Sequence, residues 1–145
     1  MEKGLIVHSL IIDKDGKILI IKRSKENDCL KKYWDIPGGT LEDGEDPISG
    51  AVRETKEETG LNIKNLDLFH YTSNVDQVKN KQFIRLIFLA TVNLKQPKII
   101  LNPREHDEYQ WLDLNKITNF KVVDYLIPCL EIIKSKSHPL INLRY

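Results

Sequence analysis

The sequence has 145 residues, 41% apolar and 30% charged, a balance that predicts one domain over residues 1–145 with its own core. A formal charge of +1 leaves no strong field to draw bulk nucleic acid or an anionic membrane. Cys29 and Cys129 lie outside any CxxC pattern, the first residues do not form a signal peptide, and no apolar run approaches a membrane span of roughly 20 residues, so the expected setting is the cytoplasm.

Residues 5–13, LIVHSLIID, and 17–23, KILIIKR, flank the turn signal KDG and predict a β-hairpin. Residues 24–34, SKENDCLKKYW, are polar and read as a loop. The next stretch predicts a helix. Asp46 suits the cap, Pro47 the first helical position, and Gly60 the stop. Ile48, Ala51, Val52, Thr55 and Thr59 fall on one stripe at about 100° per residue, for burial. Residues 61–73 and 83–94 are rich in β-branched and aromatic side chains and predict strands, with 74–82 as a mobile polar loop between them. Residues 108–114 predict a short strand, in which Tyr109 and Trp111 share a core-facing side. Residues 122–135 predict a C-terminal helix, with Pro128 a mark against its continuity. The coarse fold is α/β, a mixed sheet with helices on it.

Glu54, Glu57 and Glu58 gather on the helix side away from the apolar stripe. Three ionised carboxylates at such spacing repel one another unless cations neutralise them. Oxygen ligands of this kind suit Mg²⁺ or Mn²⁺, which also bind phosphate oxygens. A merely solvated acidic helix, screened by Arg53, Lys56 and Lys64, is the competing reading of these residues alone.

The segment around them resembles the signature of the Nudix hydrolases, Gx5Ex7REUxEExGU, with U a bulky apolar residue. Gly39, Glu45, Arg53, Glu54, Glu57, Glu58 and Gly60 fill the fixed positions, and Leu61 fits the last apolar one. A chance match in a chain this long is about one in a million, which decides against the solvated helix. Thr55 departs from the pattern at the first apolar position. WDIPGG, residues 34–39, resembles the family's usual lead-in. The resemblance implies the Nudix fold, an α/β/α sandwich with a mixed β-sheet between helices. It also implies a hydrolase of nucleoside diphosphates linked to another moiety.

Carried over residue by residue, Glu57 and Glu58 are expected metal ligands, and Glu54 a third ligand or a helper in activating water. The Gly38 carbonyl is expected to join them. Arg53 and Glu45 are expected to orient the acids through a salt bridge; a purely structural pair is the alternative. Gly38 and Gly39 are expected to let the backbone approach the metal and substrate. Arg23 resembles the basic residue that meets substrate phosphate in many members, or is a strand-end surface charge. Trp34 either stacks on a base or is buried beside the Pro-Gly-Gly turn. In REHDEYQWL, residues 104–112, Glu105 is the expected further acid, as metal ligand or general base, ahead of Asp107 and Glu108. That phrase also resembles the EHxxYxWL of members acting on nucleoside polyphosphates or pterin triphosphates. His8, His70, His106 and His138 show no metal-ligand spacing and read as ordinary polar residues.

The expected function is therefore Mg²⁺-dependent hydrolysis of a small phosphoanhydride, with nucleoside triphosphates or dinucleoside polyphosphates favoured and Mn²⁺ a possible substitute. A non-catalytic nucleotide sensor on the same fold is the alternative. An isoprenoid diphosphate isomerase is disfavoured by the intact signature, and an RNA-decapping role finds no additional RNA-binding domain. Residues 24–33 and 74–82 are the expected loops that select the leaving group. The oligomeric state is open, a homodimer included.

Overall fold

The computed structural model describes residues 1–25 and 32–135. Cys29, His138 and most of the 24–33 loop lie outside the described residues. Among the described residues seven strands form one mixed sheet: β1 (Glu2–Ile12), β2 (Ile18–Arg23), β3 (Trp34–Asp35), β4 (Gly38–Thr40), β5 (Asp67–Asp76), β6 (Lys81–Thr91) and β7 (His106–Leu112). The central order is β3-β2-β1-β6-β5, with β4 on β1 and β7 on β2.

β1 is the axis of this arrangement. It runs parallel to β6 over its whole length, from Glu2 opposite Lys81 to Ile12 opposite Thr91. On its other edge it meets β2 at the hairpin end, Ile12 opposite Ile18, and meets β4 from Ile6 to His8. Strand alternation then sends β1 side chains to opposite faces. Val7 and Ile11 pack with Ala51, Phe88 and Trp111 beneath α1 (Pro47–Thr59). Leu10 and Ile12 pack with Ile87, Leu126, Leu130 and Ile133 on the side of α3 (Ile127–Ser135). The sheet thus lies between two helical layers, as the resemblance implied. Among the described residues, no helix is long and apolar enough to cross a membrane.

α1 begins and ends where its residues dictate. The Asp46 carboxylate accepts from the Ile48 and Ser49 amides at 3.0 and 3.3 Å, and Pro47 opens the helix. Gly60 closes it in the left-handed region at φ 79°, its N–H donating to the Lys56 carbonyl. The buried stripe is rotated from the expected one. Ile48 is 42% exposed, while Ala51, Thr55, Glu58 and Thr59 are buried. Thr55, out of pattern as a hydroxyl, donates from Oγ1 to Ser9 Oγ on β1 at 2.9 Å, so the buried polar group is paired.

Several boundaries differ from expectation. β5 starts only at Asp67, because Ile63 and Leu66 are buried against the α1-side core from a non-strand segment. The 74–82 loop is a hairpin instead: the strands pair up to Asp76 opposite Lys81. The Asp76 carboxylate accepts the Val78 and Lys79 amides, and Asn80 supplies the positive φ the turn needs. Pro128 does not break the last helix, since it stands in the first turn of α3, after a 3₁₀ turn at Asp124–Leu126. The short strands β3 and β4 and the helix α2 (Leu114–Ile117) carry too few residues for periodicity to reveal.

Because its carboxylate closes two orphan amides, Asp46→Ala is expected to destabilise the protein by about 1 kcal/mol. In thermal melts this appears as a fall in Tm of about 3 °C. An unchanged Tm would show that the cap contributes nothing.

Candidate active site

Arg53 projects from α1 into a fan of oxygens. Nε and Nη2 hold both carboxylate oxygens of Glu45 at 2.8 and 3.0 Å, a bidentate pair. Nη1 donates to Glu54 at 2.8 Å and to Glu57 at 3.3 Å. Nη2 also reaches the Thr40 carbonyl at 3.3 Å. The Arg53 hydrogen bonds, with that from the Glu42 amide, hold the Glu45 carboxyl down at about 2. The same partners keep Arg53 above its usual range. Arg53 and Glu45 thus stand where orienting groups belong.

Glu54 behaves otherwise. Burial pushes it above the usual carboxylate range, Arg53 opposes, and the neighbouring Glu57 and Glu105 charges add to the rise. A Cβ on Gly39 would land on the Glu54 carboxylate. A Cβ on Gly38 would strike the His8 ring and the Val7 carbonyl. Both positions are glycine because strand β4 is pressed between β1 and the acids of α1. The Gly38 amide donates to Glu58 Oε1 at 2.8 Å.

Glu58 is the most perturbed acid. Burial, with the Glu54, Asp35 and Glu105 charges behind it, holds it up at about 9. Glu58, Glu105 and His106 each bring one ligand atom within 4.8 Å of the others. A buried carboxyl that ionises only with difficulty, beside a second carboxylate and an imidazole, is a fit for a divalent cation, which removes the cost of ionising it. His106 corrects the reading of all histidines as ordinary: burial pushes it down to about 4, so a neutral ring nitrogen faces the acids. Glu57 is the outer member of the group, its side chain 56% exposed.

The loop before β7 is pinned. The Ser24 amide donates to the Glu105 carbonyl at 2.9 Å and Ser24 Oγ to the Arg104 carbonyl at 2.6 Å. Glu105 lines the cavity, while Glu108 turns to Lys22 at 3.6 Å. The cavity, of about 190 Å³, is walled by Arg23, Asp35, Gly38, Gly39, Glu58, Glu105 and His106, among others.

Arg23 lines it with its guanidinium anchored. Nε and Nη2 donate to Asp35 at 3.0 and 2.8 Å, and that carboxylate also accepts the Tyr125 hydroxyl at 2.7 Å. Burial opposes the Arg23 charge, and Asp35 more than restores it. Burial also holds the Tyr125 hydroxyl well above its usual range, so it stays a donor. Trp34 is a correction. It is 7% exposed, in the α3-side core, edge-on to Phe120 at 5.2 Å between ring centres, and it cannot stack on a base. The sequence reading also passed over Asp35, Tyr125, His8 and Arg85, which line the same cavity. The one available signal was Asp35, an acid placed between the apolar side chains of Trp34 and Ile36.

The family profile described as the NUDIX domain matches residues 3–128. An RNA pyrophosphohydrolase of Pelagibacter ubique is 27% identical, over 92% of this chain and 90% of its own length. An ADP-ribose pyrophosphatase of Methanocaldococcus jannaschii is 42% identical over 57% of this chain; the match spans 47% of that relative. The crystal structure of a MutT protein from Methanosarcina mazei superposes with a TM-score of 0.79 at 26% identity, covering 94% of this chain and 97% of the other. Fold and acidic site together define a diphosphohydrolase acting on phosphorus-containing anhydrides. The chain belongs to the Nudix family.

The two shifted acids act on stability in opposite pH windows. Glu45 ionises more readily folded than unfolded, so its contribution is present above the ordinary value of 4.5 and is lost as pH falls toward about 2. Glu58 binds its proton more tightly when folded. Its contribution is full below 4.5 and is lost as pH rises toward about 9. In EDTA, Tm is therefore expected to fall between pH 5.5 and 8.5, with Mn²⁺ raising Tm more at the higher pH. Glu58→Gln should flatten both responses; a slope that survives in that variant would belong to another group.

Proposed function

We propose that this chain, as a single-domain cytoplasmic enzyme, hydrolyses the diphosphate linkage of a nucleoside diphosphate joined to another moiety. Nucleoside triphosphates and dinucleoside polyphosphates are the favoured substrates. The observation that carries the proposal is the crowding of carboxylates, in which the Glu105 charge helps to raise both Glu54 and Glu58, with Arg53 clamped on Glu45, Glu54 and Glu57. A binding-only sensor has no use for so costly a concentration of acids, which supports the enzyme over that alternative.

Glu54, Glu57, Glu58, Glu105 and the Gly38 carbonyl would hold Mg²⁺, which would neutralise charge on the diphosphate and lower the pKa of water. The neutral His106 beside these oxygens suits Mn²⁺ as well, since imidazole is a ligand it accepts more readily than Mg²⁺ does. The remaining work belongs to side chains. Arg53 is a positioning residue: it touches carboxylates, and its fork fixes where Glu54 and Glu57 point. Glu105 takes the proton from water. The water oxygen bonds to phosphorus as the bridging P–O bond breaks, and the leaving phosphate keeps the bonding electron pair. Arg23, anchored on Asp35, presents positive charge to the phosphates from the cavity wall. Gly38 and Gly39 leave the backbone bare where phosphate oxygens approach.

Hydrolysis of a panel of nucleoside polyphosphates is expected to require Mg²⁺ or Mn²⁺ and to stop with chelator. Glu57→Gln and Glu58→Gln should each lower kcat strongly with circular dichroism unchanged; wild-type turnover in either would remove that residue from the site.

Glu105→Gln is expected to slow kcat by about 10²–10⁴ and to alter the acidic limb of the pH–rate profile. An unchanged kcat and metal dependence would transfer the role to Glu54. Arg53→Ala should lower kcat, and Arg53→Lys should fail to restore it, because an ammonium cannot span both Glu45 oxygens. Full rescue by lysine would show that charge alone suffices.

A further inference from the structure

Among the described residues three arginines are half-buried, and two of them meet carboxylates: Arg23 on Asp35, and Arg53 on Glu45, Glu54 and Glu57. Arg85, on β6, is the third, and it forms no ion pair among the described residues. Its guanidinium lies 4.2 Å from the centre of the Tyr125 ring, and Nη1 donates to Asn74 Oδ1 at 3.4 Å. Nε is sealed from solvent, whereas Nη2 has no partner among the described residues and is not sealed. A ring face and one long amide contact do not replace the hydration that burial strips from a charged group. Arg85 lines the cavity that also holds Glu58, Glu105 and Arg23. Its charge is felt inside that cavity: burial pushes His8 below its usual range against the pull of Asp35, and Arg85 adds to the fall. The counter-charge that Arg85 lacks is therefore an anion from outside the chain, and its planar fork suits a phosphate.

The sheet register places that anion. β4, β1 and β6 run side by side, with Gly38 opposite His8, and with Ile6 flanked by Thr40 and Arg85. Arg85 is thus rooted two strand spacings, about 10 Å, from the β4 backbone. Glu58 belongs to the β4 side, where it takes the Gly38 amide. The His8 ring stands between them. A Cβ on Gly38 would strike it, and its centre is 4.8 Å from that of Tyr125, on which Arg85 rests. Tyr125 is itself fixed, its hydroxyl donating to Asp35 at 2.7 Å, so the seat beneath Arg85 is held. The acids and Arg85 therefore face the cavity from opposite sides of His8, and meet different phosphates of one chain.

We infer that Arg85 binds the phosphate next beyond the pair at the cleaved linkage, so that the enzyme prefers substrates with three or more phosphates to those joined through two. The inference rests on the hydrolase reading, which sets that pair at the acids. Tyr125 is the positioning residue that seats the guanidinium.

Isothermal titration in Mg²⁺ compares two uncleavable probes: methylenediphosphonate, with two phosphorus atoms, and its bis-methylene triphosphate homologue, with three. The wild type is expected to bind the longer probe about ten- to hundredfold tighter, the range of a hydrogen bond to a charged group. Arg85→Gln should remove most of that excess while the shorter probe keeps its affinity. Arg85→Lys keeps the charge but not the fork, and should retain part of the excess. If circular dichroism shows Arg85→Gln unfolded, Arg85→Lys decides, since its excess must fall below that of the wild type. Equal affinities in the wild type, no binding of either probe, an excess that survives Arg85→Gln, or equal weakening of both probes in that folded variant would overturn the inference. An excess that depends on Arg85, in a protein that cleaves no phosphoanhydride, would uphold the anion site and remove the hydrolase reading. Hydrolysis without that excess would do the reverse.

Discussion

The arrangement depends on one guanidinium. Arg53 meets Glu45, Glu54 and Glu57 at once, and without it three like charges crowd the loop before α1 and one helical turn. Its bidentate grip on Glu45 matters most, because that pair fixes the fork plane and so the direction of Nη1 toward Glu54. The clamp also ties the loop before α1 to the helix. A Cβ on Gly50 would strike Leu41 and Glu45, so the loop lies flat on the first turns. Catalytic geometry and local packing are here one structure.

Glu58 is outside that clamp. It faces inward on the buried stripe of α1, served by one amide and little else. Two acids four residues apart thus have opposite characters. Glu54 is steadied by the Arg53 cation, and Glu58 is met by the Gly38 amide instead.

How much was legible follows from which forces are local. α1 could be placed from Asp46, Pro47 and Gly60 because caps and turns are decided by neighbours in sequence. The clamp could be anticipated because Arg53, Glu54 and Glu57 share a helix face. Glu105 needed only its place before a strand. What escaped was set by distant chain. Trp34 is buried because Phe120 covers it, and His106 is depressed because the fold buries it. Asp35 meets Tyr125 across 90 positions of sequence and takes Arg23 on the same carboxylate, an arrangement no periodicity encodes. The 74–82 segment misled because its polar composition looks like a loop, although register with β6 makes most of it strand.

The parallel pairing of β1 with β6 also bears on how the molecule comes to exist. The β1–β2 and β5–β6 hairpins close over short distances and can form early. Bringing Glu2 opposite Lys81 closes a loop of roughly 80 residues, at an entropic cost of about 4 kcal/mol before its contacts repay it. β4, with Gly38 and Gly39, rests on β1, and the Glu105 loop reaches Ser24 only once β7 has joined β2. During synthesis the acids of the candidate site therefore cannot converge until most of the chain has left the ribosome. A partly made protein carries the helix but not the assembled site.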